Sequence, residues 1–303
     1  MHKRLLPSAG GNDLHTISLN RGSRDLMRVL VLSPGSLNQQ LQRLPALASL
    51  CRQLDAQLQV ACNPSSRSAW DLLPCTEKVL PFGFDTNPTM ADWSNLLGCV
   101  REPDFQVCIN FAEGRAVNLM LSMSHIPTRL AGSGFACTNR IKGGTGWAAQ
   151  QLEPYLSALG CVLDADAFRL TLAAADIQEM RSKQPKGDGP LLLLAPADNE
   201  RDWPERCWTA LPNTIQSRLP GLRSVRVSST VALHQRALAV ACADVVLSSC
   251  PSTQQLAAYN GIPLVALGAN PCLLPQRPEI RCLGNSTELT ALSENDVLKA
   301  LGF

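Results

Sequence analysis

The sequence predicts an α/β protein built as two tandem Rossmann-like halves, each a doubly wound parallel sheet, facing one another across a cleft. Three observations carry this. From Met27 onward, apolar runs of strand length alternate with stretches of helical spacing. The alternation breaks at one polar, Pro/Gly-rich joint, Gln184 to Pro190, and restarts at once. Hydrophobic residues make up 45% of the 303 and charged residues 17%, enough apolar material for two packed cores.

In the first half, Arg28 to Leu32 is a short strand ending at Ser33-Pro34-Gly35, and Leu37 to Leu54 carries apolar residues at helical spacing. Leu58 to Cys62 and Lys78 to Phe82 read as strands, with a helix from Ala91 to Val100 opened by the break at Asn87-Pro88. Gln106 to Asn110 is a strand, Arg115 to Met123 a helix, Thr128 to Ala131 a strand, and Trp147 to Leu159 a helix that stops at Gly160. After a helix over Ala173 to Lys183 and the joint, Leu191 to Ala195 is a fully apolar strand. Pro204 opens a helix to about Arg218. Strands follow at Leu222 to Ser228, Asp244 to Ser248 and Ile262 to Leu267, with helices at Ala232 to Cys242 and Thr253 to Asn260. Ser293 to Asp296 has the spacing of a capping box for a last helix to Leu301. Short apolar strands between helices imply a parallel sheet covered on both faces.

The expected division is a disordered tail or mis-assigned start over residues 1–26, a first half over 27–165, a linker over 166–189 and a second half over 190–303. A net charge of +2, with no basic run interleaved with aromatics, excludes nucleic acid as the main partner. No apolar stretch reaches the length of a membrane span, and residues 1–26 lack the apolar core of a signal peptide. The 12 cysteines form no C-x-x-C pair and no zinc-type cluster. They read as buried thiols in a reducing, cytoplasmic setting, with disulfides as the alternative. The four histidines are isolated, and no G-x-S-x-G elbow occurs.

Parallel sheets bind ligands where strands end and helices begin, so three turns stand out. The first, Ser33 to Gln40, is no G-x-G-x-x-G loop, which argues against a dinucleotide-dependent enzyme. The second, Pro196 to Pro204, carries Arg201, either a phosphate clamp or a solvated cation. The third, Ser249 to Gln255, offers Ser252 or Thr253 as a helix cap, with amides suited to a pyrophosphate or serving only as a cap. Glu113 and Asp198 follow strands at the same ends, as general bases or as solvated loop carboxylates. Asp164-Ala-Asp166 has D-x-D spacing but sits beside the linker, so no metal or other cofactor is expected.

Four segments in order resemble a known family. Met27 to Leu32 followed by Leu44-Pro-Ala-Leu47 looks like an opening strand and an "LPAL" helix. Phe105 to Phe111 through Pro127-Thr-Arg129 is similar to "F-D-x-x-I-N-F…P-x-R". Arg201-Asp-Trp-Pro204 resembles "K-x-W-P". Ala243-Asp-Val-Val-Leu through Leu256-Ala-Ala258 and Gly261 to Leu267 resembles "A-D-L-V-V…D-S-G-x-x-H-L-A-A…G-x-P-V-V-A-L". From Met27 to about Pro271 the chain thus resembles the bacterial lipopolysaccharide heptosyltransferases, glycosyltransferase family nine, of GT-B fold.

The resemblance implies an inverting, metal-independent transfer of a sugar from a nucleotide diphosphate sugar to a glycan or lipid-linked acceptor. The protein would be cytoplasmic, with peripheral contact at the inner face of the plasma membrane where the acceptor is lipid-linked. It places Arg201 and Ser252, Thr253, Gln254 and Gln255 at the donor, and Asn38 and Arg115 on the acceptor side. The position of the family's base falls on Gln39, which cannot take a proton at neutral pH. The "D-S-G-x-x-H" stretch falls on Cys250 to Gln255, without its carboxylate or its histidine. The second half reads as one strand-helix unit short. The alternative is a glycosyltransferase-like binding or scaffold protein without catalysis.

Overall fold

The computed structural model describes residues 26–303, so the tail expected over residues 1–26 lies, but for Leu26, outside the described residues. The first half runs β1 (Met27–Ser33), α1 (Leu37–Leu54), β2 (Ala56–Cys62), a 3₁₀ segment Pro64–Leu72, β3 (Thr76–Pro81), α2 (Met90–Arg101), β4 (Val107–Asn110), α3 (Arg115–Met123), β5 (Thr128–Ala131) and β6 (Asn139–Arg140). A short α4 (Glu153–Ser157) and α5 (Ala174–Ser182) precede the second half. This consists of β7 (Leu191–Ala195), α6 (Glu205–Gln216), β8 (Arg223–Arg226), α7 (Leu233–Ala241), β9 (Val245–Ser248), α8 (Pro251–Asn260), β10 (Leu264–Leu267), β11 (Ile280–Leu283) and α9 (Glu294–Leu301).

Both sheets are parallel throughout, in the orders β3-β2-β1-β4-β5-β6 and β11-β10-β9-β7-β8. Strand order reverses between β1 and β4 in the first sheet and between β7 and β9 in the second. Ligand crevices of doubly wound sheets open at such reversals. The expected α/β class and paired doubly wound halves are therefore present.

Local chemistry sets the boundaries. Gly35 turns the chain from β1 into α1 at φ +96°, and Gly261 ends α8 at φ +69°, conformations that cost a residue with a Cβ. Ser293 caps α9 as expected, accepting from the Asp296 amide at 3.2 Å. Two readings need correction. The helix expected over 147–159 shrinks to Glu153–Ser157, because Pro154 fits a first helical turn and cannot continue one. Helix α8 starts two residues earlier than expected, at Pro251, so the cap is Cys250 rather than Ser252 or Thr253.

One apolar core runs through both halves. It joins Val29, Leu44 and Leu58 of the first to Leu193, Val240 and Leu256 of the second. Separate cores cover the outer faces, under α2 and α3 on one side and α6 and α9 on the other. The halves meet where α1 packs on α8 and where Pro64–Leu72 packs on α7.

A proline organises the first of these contacts. Pro45 lies inside α1 and has no N–H for the carbonyl of Leu41, four residues earlier. The Tyr259 hydroxyl of α8 donates to that carbonyl instead, at 2.9 Å. Tyr259 is 1% exposed and packs edge-on against Phe168. Tyr259→Phe should therefore cost about 1–3 kcal/mol in denaturant unfolding, because a buried carbonyl loses its partner. Pro45→Ala, which restores the N–H, should recover part of that loss in the double mutant.

Candidate functional site

At the reversal in the first sheet, the loops after β1 and β4 lie side by side, held by a Phe111 N–H to Leu32 carbonyl bond of 3.0 Å. Gln40 is fully buried, and its amide donates to the carbonyls of Ser33, Pro34 and Gly35. Arg43 donates to the Ser33 hydroxyl at 2.6 Å and the Pro34 carbonyl at 2.7 Å, and stacks 4.5 Å above the Phe111 ring. Burial lowers the Arg43 pKa to about 10, which leaves it cationic at neutral pH. Tyr155 stands nearby, its pKa raised by burial against the opposing charge of Arg43 and with a smaller upward push from Glu113. Arg43, Phe111, Tyr155 and Glu113 thus form one polar-aromatic group at the mouth of this sheet.

The expected residues of this half divide. Gln39 caps its own helix, its Oε1 accepting from the Ser36 amide at 2.8 Å. Asn38 is half-buried, and Arg115 is exposed in the first turn of α3. Glu113 is exposed on a loop clamped by Asn110, whose side chain bonds both the amide and the carbonyl of Ala112.

In the second half, the loops after β7 and β9 are stitched together. The Ala197 amide donates to Ser249 Oγ at 2.8 Å, and the Ser248 hydroxyl to the Ala195 carbonyl at 2.8 Å. Among the described residues no hydrogen bond joins the Arg201 guanidinium to the first turn of α8. Arg201 is exposed, and its guanidinium makes no hydrogen bond or ion pair with any described residue. A cavity of about 570 Å³ beside its loop is lined by Asp198, Glu200, Asp202 and Glu205, with Arg226 as its only cation. Four carboxylates there oppose a diphosphate.

Asp198 is a poor candidate base. Its Oδ2 accepts from Ser228 Oγ, the Ser229 amide and Ser229 Oγ at 2.7, 2.9 and 3.2 Å. Burial raises its pKa, but these bonds and the charge of Arg226 outweigh it and hold the carboxyl below its ordinary range. Of the D-x-D pair, Asp164 accepts from the amides of Asp166 and Ala167 in a turn, and Asp166 lies 3.6 Å from Arg277. Among the described residues no group of three or more His, Cys, Asp or Glu could hold a metal ion.

Residues 252–255 of α8 are all buried, at 1–5% exposure. Gln254 bridges the ends of β9 and β10 through the carbonyls of Ser248 and Leu267. Gln255 is buried with its Oε1 unpartnered. Ser252 and Thr253 hold a residue that the sequence reading passed over. Arg236 of α7 is 4% exposed, and its Nη1 donates to Ser252 Oγ at 2.8 Å, Thr253 Oγ1 at 3.3 Å and Cys250 Sγ at 3.4 Å. Its Nε finds no partner, and no carboxylate among the described residues pairs with it. A signal was available. Leu233, Ala237 and Val240 mark the buried stripe of α7, and Arg236 stands inside that stripe.

A buried cation therefore faces the amino end of α8, itself the positive end of a helix dipole, at the reversal of the second sheet. Solved structures of glycosyltransferases share this arrangement of sheets. The chain matches the glycosyl transferase family 9 structure from Veillonella parvula at TM-score 0.69 and 16% identity, over 91% of this chain and 96% of that one. E. coli ADP-heptose lps heptosyltransferase II matches at 0.67 and 13%, over 91% and 97%. The chain has the heptosyltransferase fold. A third solved structure of that fold, E. coli heptosyltransferase WaaC with ADP-2-deoxy-2-fluoro heptose, matches at 0.64 and 14% identity, over 91% and 99%. No family model matches the sequence, and no curated protein matches it. Among the described residues, no helix of this heptosyltransferase fold is long and apolar enough to cross a membrane.

Proposed function

We propose that the protein is a nucleotide-sugar glycosyltransferase that holds the donor's diphosphate at the amino end of α8, with Arg236 supplying the positive charge that the sequence reading gave to Arg201. The observation that carries this is Arg236 itself. A guanidinium 4% exposed, without a carboxylate and with a free Nε, gains most from a ligand that brings negative charge to it. The heptosyltransferase fold sets that charge at a strand-order reversal, and two of the matched proteins carry ADP-heptose or an ADP-heptose analogue in their names.

In this reading Glu113 takes the proton of an acceptor hydroxyl, and the freed oxygen attacks the anomeric carbon from the side opposite the diphosphate. The sugar-phosphate bond breaks with inversion, and the leaving charge is met by Arg236 and the first amides of α8. Arg43, Tyr155, Asn38 and Arg115 face the acceptor, a glycan or lipid-linked sugar of the lipopolysaccharide type. A lipid-linked acceptor requires a peripheral approach to the membrane.

Calorimetric titration with ADP, UDP and GDP tests this. One of them should bind, and failure of all three ends the reading. A second reading, a binding protein without turnover, is favoured by two details: Gln39 has no basic group, and Asp198 is fully engaged by two serines. Binding without sugar release would select it.

A further inference from the structure

Two thiols stand at the amino ends of β2 and β3, the pole of the first sheet opposite Glu113 and the other turns that follow its strands. Cys51 lies in the last turn of α1, and Cys75 in the turn that leads into β3. Each thiol is the side-chain hydrogen-bond partner of the other. Both line one cavity of about 400 Å³, together with Arg52, Asp55, Leu73 and Phe168. Backbone bonds fix the pair. The Asp55 amide donates to the Cys51 carbonyl, and the Leu58 amide donates to the Cys75 carbonyl at 2.9 Å. Residues 55–58 therefore tie both cysteines to the start of β2. The Thr76 amide closes the second turn on the Leu73 carbonyl at 3.0 Å.

Access to the two sulfurs differs. Cys51 is 7% exposed, whereas Cys75 is half-buried, and Arg52, Asp55, Asp164 and Arg169 on the cavity wall are exposed. A small solute entering from water therefore meets Cys75 first, with Cys51 beside it. Several other sulfurs are directed elsewhere. Cys137, Cys161 and Cys242 donate to the carbonyls of Gly134, Leu159 and Ile177, and Cys250 is held by Ser252 and Arg236. Two sulfurs already in contact need only a short approach to reach the S–S length of about 2.05 Å. The loop that such a bond closes contains β2 and Pro64–Leu72, the segment that packs on α7. A bridge there tethers one of the contacts between the two halves.

We propose that Cys51 and Cys75 form a reversible disulfide by exchange with low-molecular-weight disulfides, a redox-sensitive clip between the end of α1 and the start of β3. Cys75, as its thiolate, attacks one sulfur of the small disulfide, whose S–S bond breaks and releases one small thiolate. Cys51 then attacks the Cys75 sulfur of the mixed disulfide, and the second small thiolate leaves. The two protons that the cysteines give up end on the two small thiols. The protein is oxidised by two electrons, the small disulfide is reduced to two thiols, and excess small thiol drives the steps backwards. The clip does not depend on sugar transfer, since both sulfurs and the turns that hold them lie at the pole away from Glu113 and Arg43.

Peptide mapping of the full chain tests it. The native protein is equilibrated with glutathione at increasing ratios of its disulfide to its thiol, its free thiols are alkylated, and it is digested with trypsin without reduction. Cleavage after Arg43, Arg52, Arg67 and Lys78 puts Cys51 and Cys75 on separate peptides, residues 44–52 and 68–78, neither of which holds another cysteine. Mass spectrometry should find these two peptides joined as the predominant linked pair. The joined fraction should rise with the ratio and vanish when dithiothreitol is added. In Cys51→Ala, which keeps a small apolar side chain at a buried position, Cys75 should stop at the mixed disulfide with glutathione. Absence of the joined peptides from the wild type at every ratio, or Cys51 bridged mainly to another cysteine, overturns the pairing. A Cys51→Ala chain whose Cys75 stays free of glutathione overturns its place as the thiol that attacks first.

Discussion

Glu113→Gln should lower turnover of the sugar nucleotide by about 10²–10⁴-fold, with little change in donor affinity. Gln keeps the size and hydrogen-bonding reach of Glu but cannot accept a proton at neutral pH. Three positions compete for the role of base, and their surroundings differ. Gln39 is spent on the Ser36 amide, and Asp198 on Ser228 and Ser229. Glu113 stands exposed on a rigid loop, close enough to Tyr155 for its charge to reach the phenol. Release of nucleotide from a sugar nucleotide, measured with and without a hydroxyl acceptor, reads the effect. Undiminished release in Glu113→Gln would move the base elsewhere.

Arg236→Met should weaken nucleotide diphosphate binding by roughly 100-fold, or about 3 kcal/mol, the range for truncating one partner of a buried charged hydrogen bond. The same change should leave the thermal midpoint at or above that of the wild type. Met fills the space of the arginine stem, and removing a buried charge relieves its desolvation. Opposite effects on binding and stability are what distinguish a ligand-directed arginine from a structural one. Arg201→Ala serves as the control and should bind like the wild type. Isothermal titration beside differential scanning calorimetry gives both quantities. An Arg236→Met protein that binds normally would remove Arg236 from the donor site.

Much of the fold could be read from local pattern, and the exceptions have physical causes. Leu191–Ala195 is apolar at every position, so its place as an interior strand of a covered sheet was plain. β11 was missed because Arg281 interrupts it and its residues are only half-buried at a sheet edge. Pro64–Leu72 was missed because Ser65, Ser66, Arg67 and Ser68 resemble a loop, and only Ala69, Trp70 and Leu72 hint at its buried side. Pro64–Leu72 packs on α7, whose apolar stripe carries Arg236 into the interior against the first turn of α8. Burial of a cation is a tertiary property, and no strand-end turn announces it. Arg201 was the more visible choice because its motif, Arg201-Asp-Trp-Pro204, is local. Trp203 of that motif is structural, with its indole N–H on the Leu292 carbonyl at 2.9 Å.

The carbonyl of Leu41 leaves the ribosome more than two hundred residues ahead of the phenol that satisfies it, since Tyr259 stands 218 positions later. Synthesis from the amino end must therefore deliver a first half whose longest helix displays an unmet acceptor on an apolar face. A nascent chain stalled before residue 259 should be retained by chaperones and cut readily by protease near α1. The same chain extended past α8 should resist, and equal resistance of both would show that the young first half closes without its distant tyrosine.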